Sequence, residues 1–325
     1  MPYSSAQPGY KSPKLSEIVQ GSSGREYSIQ SVLQDKQIPF GRVYLATNEF
    51  RNYVEKEIPQ DLEIRASIYH RIGRHPNVRA LIDTVPDRRM FVFRYLNENL
   101  LGFAQRELSL KLIKRILKCA LQGLAALHEQ DLVHNDIKAN NIMIQTKECS
   151  RDADIEQVQL VDLEDTVHLS PGRATMGIQV GNWMWRSPEA HAQGPVEKSS
   201  DMFSFGLVCI YAMTQRLVLA VDESELLEGE DKLAIVLERQ LSYFADESGF
   251  KAFMQYIGAE SAWHEIFRVI NSGFGKDQPR KPFALWDGNG LDGDFKAFIG
   301  GLTNFDPAKR MTAQQALAHR WLENV

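Results

Sequence analysis

The sequence predicts an α+β chain with a small strand-rich lobe followed by a larger helical one. Short β-branched or aromatic runs, "YSIQSVL", "RVYLAT", "YVEKEI", "VRALIDTV" and "MFVFRYL", crowd its first part. After Asn99 the pattern changes: "LSLKLIKRILKCALQGLAALHEQ" repeats apolar residues at helical spacing, and "SSDMFSFGLVCIYAMT" is apolar nearly all round, as a buried helix would be. With 325 residues, 43% of them hydrophobic, the chain is long enough to bury a core in one large domain or two lobes.

Residues 1–26 are rich in Ser, Pro and Gly and are expected to form a flexible tail. The domain then runs over 27–325, with the first lobe at about 27–96 and the second at about 97–325. One helix interrupts the early strands, "QDLEIRASIYHRI", in which Leu62, Ile68, Tyr69 and Ile72 share a spacing and Gly73 is the stop. "VDESELLEGED" is expected as a solvated acidic stretch and "WDGNGLDGD" as a loop. Residues 219–295 match no motif.

Composition sets limits on function. The formal net charge is −5 and no long Lys/Arg run is present, which argues against nucleic acid as the main partner. Cys119, Cys149 and Cys209 are far apart, without a C-x-x-C pair, so neither a disulfide framework nor a zinc site is expected. No apolar run reaches the ~20 residues that a membrane span needs. The start lacks a secretory signal pattern. The expectation is an intracellular protein, cytoplasmic or nuclear.

The chemistry concentrates in "LVHNDIKANNIMI", where a carboxylate, an amine and amides sit among apolar residues. Asp136 could accept a proton from an attacking hydroxyl. Lys138, two residues on, could balance charge on a moving phosphoryl group, and the amide oxygen of Asn141 could ligand a hard cation such as Mg²⁺. "VQLVDLEDTV" follows with a second carboxylate, Asp162, at a strand end. Three further stretches come in order: "GNWMWRSPEA", "SSDMFSFGLV" and "DPAKRMTAQQALAHRWL".

Together these resemble the H-R-D-L-x-x-x-N, D-F-G, A-P-E, S-D-x-W-S-F-G and C-terminal D-P-x-x-R motifs of eukaryotic protein kinases. The resemblance covers roughly residue 27 to the end, and the wording looks closest to divergent kinase-like sequences of fungal type. It implies a two-lobed protein-kinase-like fold using ATP and Mg²⁺ to phosphorylate a protein substrate. Asp136 is carried over as the base, Lys138 as the phosphoryl contact, and Asn141 and Asp162 as metal ligands. A Lys at position 138 is what Ser/Thr-directed members carry. Asp201 would anchor the catalytic-loop backbone, Arg310 would pair with Glu189, and His134 would take the structural place of the motif's His. Asn135 stands where many kinases hold an Arg that receives an activation-loop phosphate, so phosphorylation at Thr175 or Ser170 is not expected to be needed.

The first lobe departs from the pattern. Gly41 matches the third Gly of G-x-G-x-x-G, but Lys36 and Ile38 take the first two positions and Pro39 removes a backbone donor. Lys56 in "YVEKEI" is the candidate for the α/β-phosphate contact, with Glu55 and Glu57 read as outward-facing neighbours. Its helix partner is open. The expected position holds Arg65. Glu63 is the nearest acid, but two residues turn a helix by ~200°, so it cannot share a face with Arg65. Asp61 is a second candidate. Phe93 resembles the residue behind the adenine pocket, and Arg94, Tyr95 and Leu96 the hinge. Glu164 replaces the Gly of D-F-G and removes backbone freedom. These departures keep a non-catalytic pseudokinase scaffold open as an alternative. A small-molecule phosphotransferase, whose H-x-D-x-x-x-x-N and I-D-x-E motifs are also similar, is a third reading.

Overall fold

The computed structural model describes residues 12–35, 41–147, 155–176, 181–226 and 231–325. Six antiparallel strands make the sheet of the first lobe: β1 (Ile18–Gln20), β2 (Glu26–Asp35), β3 (Arg42–Asn48), β4 (Arg51–Glu57), β5 (Asp83–Val85) and β6 (Met90–Arg94), in the order β1-β2-β3-β4-β6-β5. Helix α1 (Leu62–Ile72) ends on Gly73, whose N–H caps Tyr69 O. The expected helix is therefore found, while "VRALIDTV" gives only the short β5 and an isolated bridge from Val78 to Leu160. The tail is shorter than expected, because β1 already pairs with β2 inside the 1–26 region.

The two faces of this sheet differ. Val54, Phe91 and Phe93 point to the core shared with α1 and the second lobe, where Tyr69 stacks against both phenylalanines. The opposite face packs Val19, Tyr27, Tyr44, Tyr53, Val85, Met90 and Val92 into a cluster of its own. Glu55 and Glu57 lie on that face and are buried, not outward. The tyrosines close over it, Tyr27 and Tyr53 meeting edge to face with centroids 5.2 Å apart. Glu57 accepts from Tyr44 Oη and Arg42 N, whereas both Glu55 oxygens lack a hydrogen-bond partner.

The second lobe opens with β7 (Glu98–Asn99) and α2 (Leu100–Phe103), then the long α3 (Leu110–Glu129), started by Ser109 capping Leu112 N. Strands β8 (Leu132–Val133), β9 (Ile142–Thr146), β10 (Ile155–Leu160) and β11 (Val167–His168) form two small sheets, β10-β9-β7 and β11-β8. After α4 (Pro188–His191) comes α5 (Lys198–Thr214), buried continuously from Ser200 to Ala212, as its apolar circumference requires. Helices α6 (Lys232–Phe244), α7 (Glu247–Ile257) and α8 (Ala262–Ser272) gather around Phe253, Phe267 and Phe305, so the motif-free 219–295 region contains a helical subcore. Helix α9 (Gly293–Leu302) and α10 (Ala313–Leu317) finish the chain, with Trp321 packed on Phe295 and Phe298.

Candidate active site

The loop between β8 and β9 carries Asp136, Lys138 and Asn141. Its apolar shoulders Val133, Ile137, Ile142 and Ile144 are all buried, and they fix which way the polar residues face. The loop backbone is pinned from below by Asp201 on α5. One carboxylate oxygen accepts from His134 N (2.8 Å) and His128 Nε2 (2.9 Å), the other from Asn135 N (2.9 Å). The His134 ring spans from Asp136 N to Val161 O, linking this loop to the strand that leads into Asp162.

Asp136 itself is held by its neighbours. Oδ2 is met by Lys138 Nζ and by Asn141 Nδ2 at 3.0 Å, and Oδ1 by Asn182 N at 3.1 Å. Asn141 uses its amide nitrogen on Asp136, which leaves its oxygen as the end suited to a cation. The close approach of the 181–182 backbone needs a glycine. Gly181 has φ of 75°, and a Cβ there would sit 2.4 Å from Asn135 O.

Lys56 on β4 reaches across the cleft. Its Nζ lies 2.6 Å from Asp162 Oδ1 and 3.1 Å from Glu164 Oε2. Glu63 and Asp61 are exposed at the start of α1 and make no ion pair with it. The expectation of a helix partner is thus corrected: Lys56 finds its carboxylates on the segment 162–164. Burial alone would depress the Lys56 ammonium, but Glu164 and Asp162 reverse this and hold it above the usual lysine range. Burial would raise Asp162, and Lys56 turns that into a strong depression. For Glu164 burial wins and its carboxyl is raised.

Helix α1 still touches this segment, through other residues. Tyr69 and Leu163 are buried in the same core, and the Arg65 charge acts favourably on Asp165. Leu163 is buried in the main core, as an apolar plug should be. Asp162 has φ of 65°, a left-handed conformation that short polar side chains tolerate. Asn135, at φ 66°, fits for the same reason, and its Nδ2 donates to Asp165 O at 2.9 Å.

At the hinge, Phe93 is buried with the Arg79 guanidinium 5.2 Å from its ring centroid. Arg79 Nη2 donates to Arg94 O at 3.0 Å, and Tyr95 N donates to Asn52 O at 3.2 Å. Leu96 is buried. Gly41, with φ of 76°, lies against Glu57, while Lys36, Ile38 and Pro39 fall outside the described residues. A cavity of about 1160 Å³, lined in part by Arg51, Arg74, Arg94 and Tyr95, contains neither Asp136 nor Asp162.

Below the cleft, Arg310 grips Glu189 with two bonds, Nη1–Oε1 at 2.6 Å and Nη2–Oε2 at 2.9 Å, both side chains fully buried. Sequence reasoning gave no role in the cleft to Arg79, Tyr69 or to Asn182 within "GNWMWRSPEA", and read Glu164 as a lost glycine and as the acid of an I-D-x-E motif. Its acidity was the available signal.

Known proteins agree with this geometry. A model of the protein kinase domain matches residues 16–322. Cell division control protein 2 homolog 3 of Trypanosoma brucei brucei is 24% identical over 83% of this chain and 80% of its own length. Two Arabidopsis thaliana proteins are similar: probable serine/threonine-protein kinase PBL4, 27% identical over 51% of the chain, and proline-rich receptor-like protein kinase PERK12, 26% identical over 82%. The chain spans 34% and 37% of the length of those two. No helix among the described residues is long and apolar enough to cross a membrane. With the domain match covering nearly its whole length and the fold and cleft arranged accordingly, the chain belongs to the protein kinase family.

Proposed function

We propose that this chain transfers the γ-phosphoryl group of ATP to Ser or Thr hydroxyls of protein substrates. The observation that carries this reading is the Asp136 carboxylate, held at both oxygens by Lys138, Asn141 and Asn182 N at the cleft. The substrate hydroxyl oxygen bonds to the γ-phosphorus, the bond to the β-phosphate oxygen breaks, ADP leaves, and the hydroxyl proton goes to Asp136. Lys138 offsets charge on the moving group, and Lys56 contacts the α/β-phosphates. Asn141 and Asp162 offer hard oxygen donors of the kind Mg²⁺ takes, and they would hold it. When bound, that ion neutralises phosphate charge. The Ser/Thr preference rests on Lys138 and on the similarity to the probable serine/threonine-protein kinase PBL4 of Arabidopsis thaliana.

The test is transfer of radiolabelled phosphate from Mg-ATP to a generic protein substrate, comparing the parent chain with Asp136→Asn. Loss of a general base is worth about 10²–10⁴-fold, so transfer should fall by at least that lower figure. Equal counts for the two proteins would overturn the proposal.

A second reading, a nucleotide-binding or scaffold module without transfer, is favoured by the hinge. There Arg79 already occupies the Arg94 carbonyl, and Asn52 takes the Tyr95 N–H. Absence of transfer in the parent chain selects this reading.

A further inference from the structure

We propose that Glu164 is the residue that positions Lys56 for phosphate contact, in the place of a helix glutamate, so that the cation, its carboxylate partner and a metal ligand are assembled without a carboxylate from α1. This inference rests on the phosphoryl-transfer reading above.

Three observations meet here. Glu164 Oε2 stands 3.1 Å from Lys56 Nζ, and its side chain is only 8% exposed. Neither Glu164 oxygen has a protein hydrogen-bond donor, and among the described residues Lys56 is the cation in ion-pair reach of it. The helix, by contrast, offers Lys56 no carboxylate: its acids Asp61 and Glu63 are exposed, and the α1 charge that acts on Asp165 is the cation Arg65. The signs have been exchanged. The acid has moved from helix to segment, and the helix holds a base that suits an acidic segment.

A regulatory consequence follows. Where a helix supplies the carboxylate, swinging the helix away breaks the ion pair. Here both carboxylates, Asp162 and Glu164, ride on one three-residue stretch, so they move together against Lys56 on β4. That stretch is fastened to the loop before β9 by a neutral hydrogen bond, Asn135 Nδ2 to Asp165 O. The carboxylates of the centre therefore follow the segment, and none of them is drawn from α1.

Two readouts test the inference. The first is the extent of modification of Lys56 by a limiting amine-acylating reagent, read by mass spectrometry on the full chain without nucleotide. An ammonium held by two carboxylates reacts slowly. Glu164→Gln should raise labelling of Lys56 about threefold while other lysines stay unchanged, and Glu164→Asp should fall between. The second is steady-state transfer. Glu164→Gln should lower kcat about tenfold or more, because the pair acts on the reacting phosphates, while Glu63→Gln changes neither readout. Lys56 labelling in Glu164→Gln that stays at the parental level overturns the inference, as does a labelling rise in Glu63→Gln equal to that in Glu164→Gln. A rise at every lysine marks unfolding of Glu164→Gln, and the charge-conserving Glu164→Asp then decides: more labelling at Lys56 alone supports the pairing, and none refutes it. If the parent chain transfers no phosphate, the proposed function fails, and the labelling still judges the pair.

Discussion

Glu189 with Arg310, and Lys56 with Asp162 and Glu164, are two clusters of buried opposite charge that differ in how completely they are closed. In the first, both side chains are 0% exposed. The arginine also donates to Ser199 O and Asn304 O and lies over the Phe203 ring, so four of its five N–H donors are spent inside the protein. In the second, Lys56 is 21% and Asp162 37% exposed, and one ammonium serves two carboxylates. A sealed, one-to-one pair has nothing left for a ligand and fixes the architecture. An open pair with surplus negative charge has capacity for a cation and for phosphate. Glu55 is the third case, a buried carboxyl with no hydrogen-bond partner at all.

The sealed pair gives the largest expected effect on stability. Glu189→Gln leaves the Arg310 charge buried without its counter-ion, which costs about 3–5 kcal/mol for pairs of this kind. Urea unfolding should show that loss, mostly as a lower midpoint. A cost below about 1 kcal/mol would mean that the pair is no more than a surface bridge in effect, and the contrast between sealed and open clusters would collapse.

The unpartnered carboxyl should reveal itself through pH. Burial foremost, then the nearby Asp83 charge, push Glu55 from 4.5 up to about 8. The folded state thus binds this proton more tightly than the unfolded chain does. The contribution is fully present below the unfolded value and is lost as pH rises through the folded one, because a bare carboxylate must then stay buried. Glu55→Gln removes the ionisation. The variant should gain on the parent by on the order of 2 kcal/mol between about pH 5 and about pH 9, read as the difference between their thermal unfolding curves. A difference that is constant with pH would show that Glu55 is solvated or charged in the fold.

These three carboxylates also mark what could be read from the chain alone. The placing of Asp136 beside Asn141, and of Glu189 for its partner, was legible because spacing within one loop or one motif sets it. Arg310 was legible because its motif is strongly patterned. Glu164 was not, because its partner Lys56 is 108 positions away (164 minus 56) and the exchange of sign with Arg65 exists only in three dimensions. Glu55 was misjudged by the alternation rule. Alternation does separate Val54 and Lys56 from Tyr53 and Glu55, but it cannot say that both faces are covered. Tyr44 and Tyr53 on the same face were the signal, since aromatic rows beside a carboxylate betray a packed surface. The hinge engagement by Arg79 had no sequence signal, because the bond goes to a backbone carbonyl.

The smallest expected effect concerns the segment that follows Glu164. Were a phosphate needed to order it, a cation beside Asp136 would have to receive that phosphate. Asn135 occupies that place, and it is neutral: its N–H binds Asp201, and its Nδ2 donates to Asp165 O. Further along, Thr175 is tied by its own backbone, its N–H donating to Val196 O at 3.0 Å and its carbonyl accepting from Val196 N at 2.8 Å. Ser170 is exposed. Neutral bonds hold the segment at both points without a modification, so replacing both hydroxyls, Ser170→Ala with Thr175→Ala, should leave the transfer rate within about twofold, as for surface changes away from the chemistry. The same assay on phosphatase-treated parent protein should agree. A collapse in either would mean that a charge at Ser170 or Thr175 organises the segment after all. The Lys56–Asp162–Glu164 cluster would then be assembled from outside, by modification, and not by the neutral contact of Asn135.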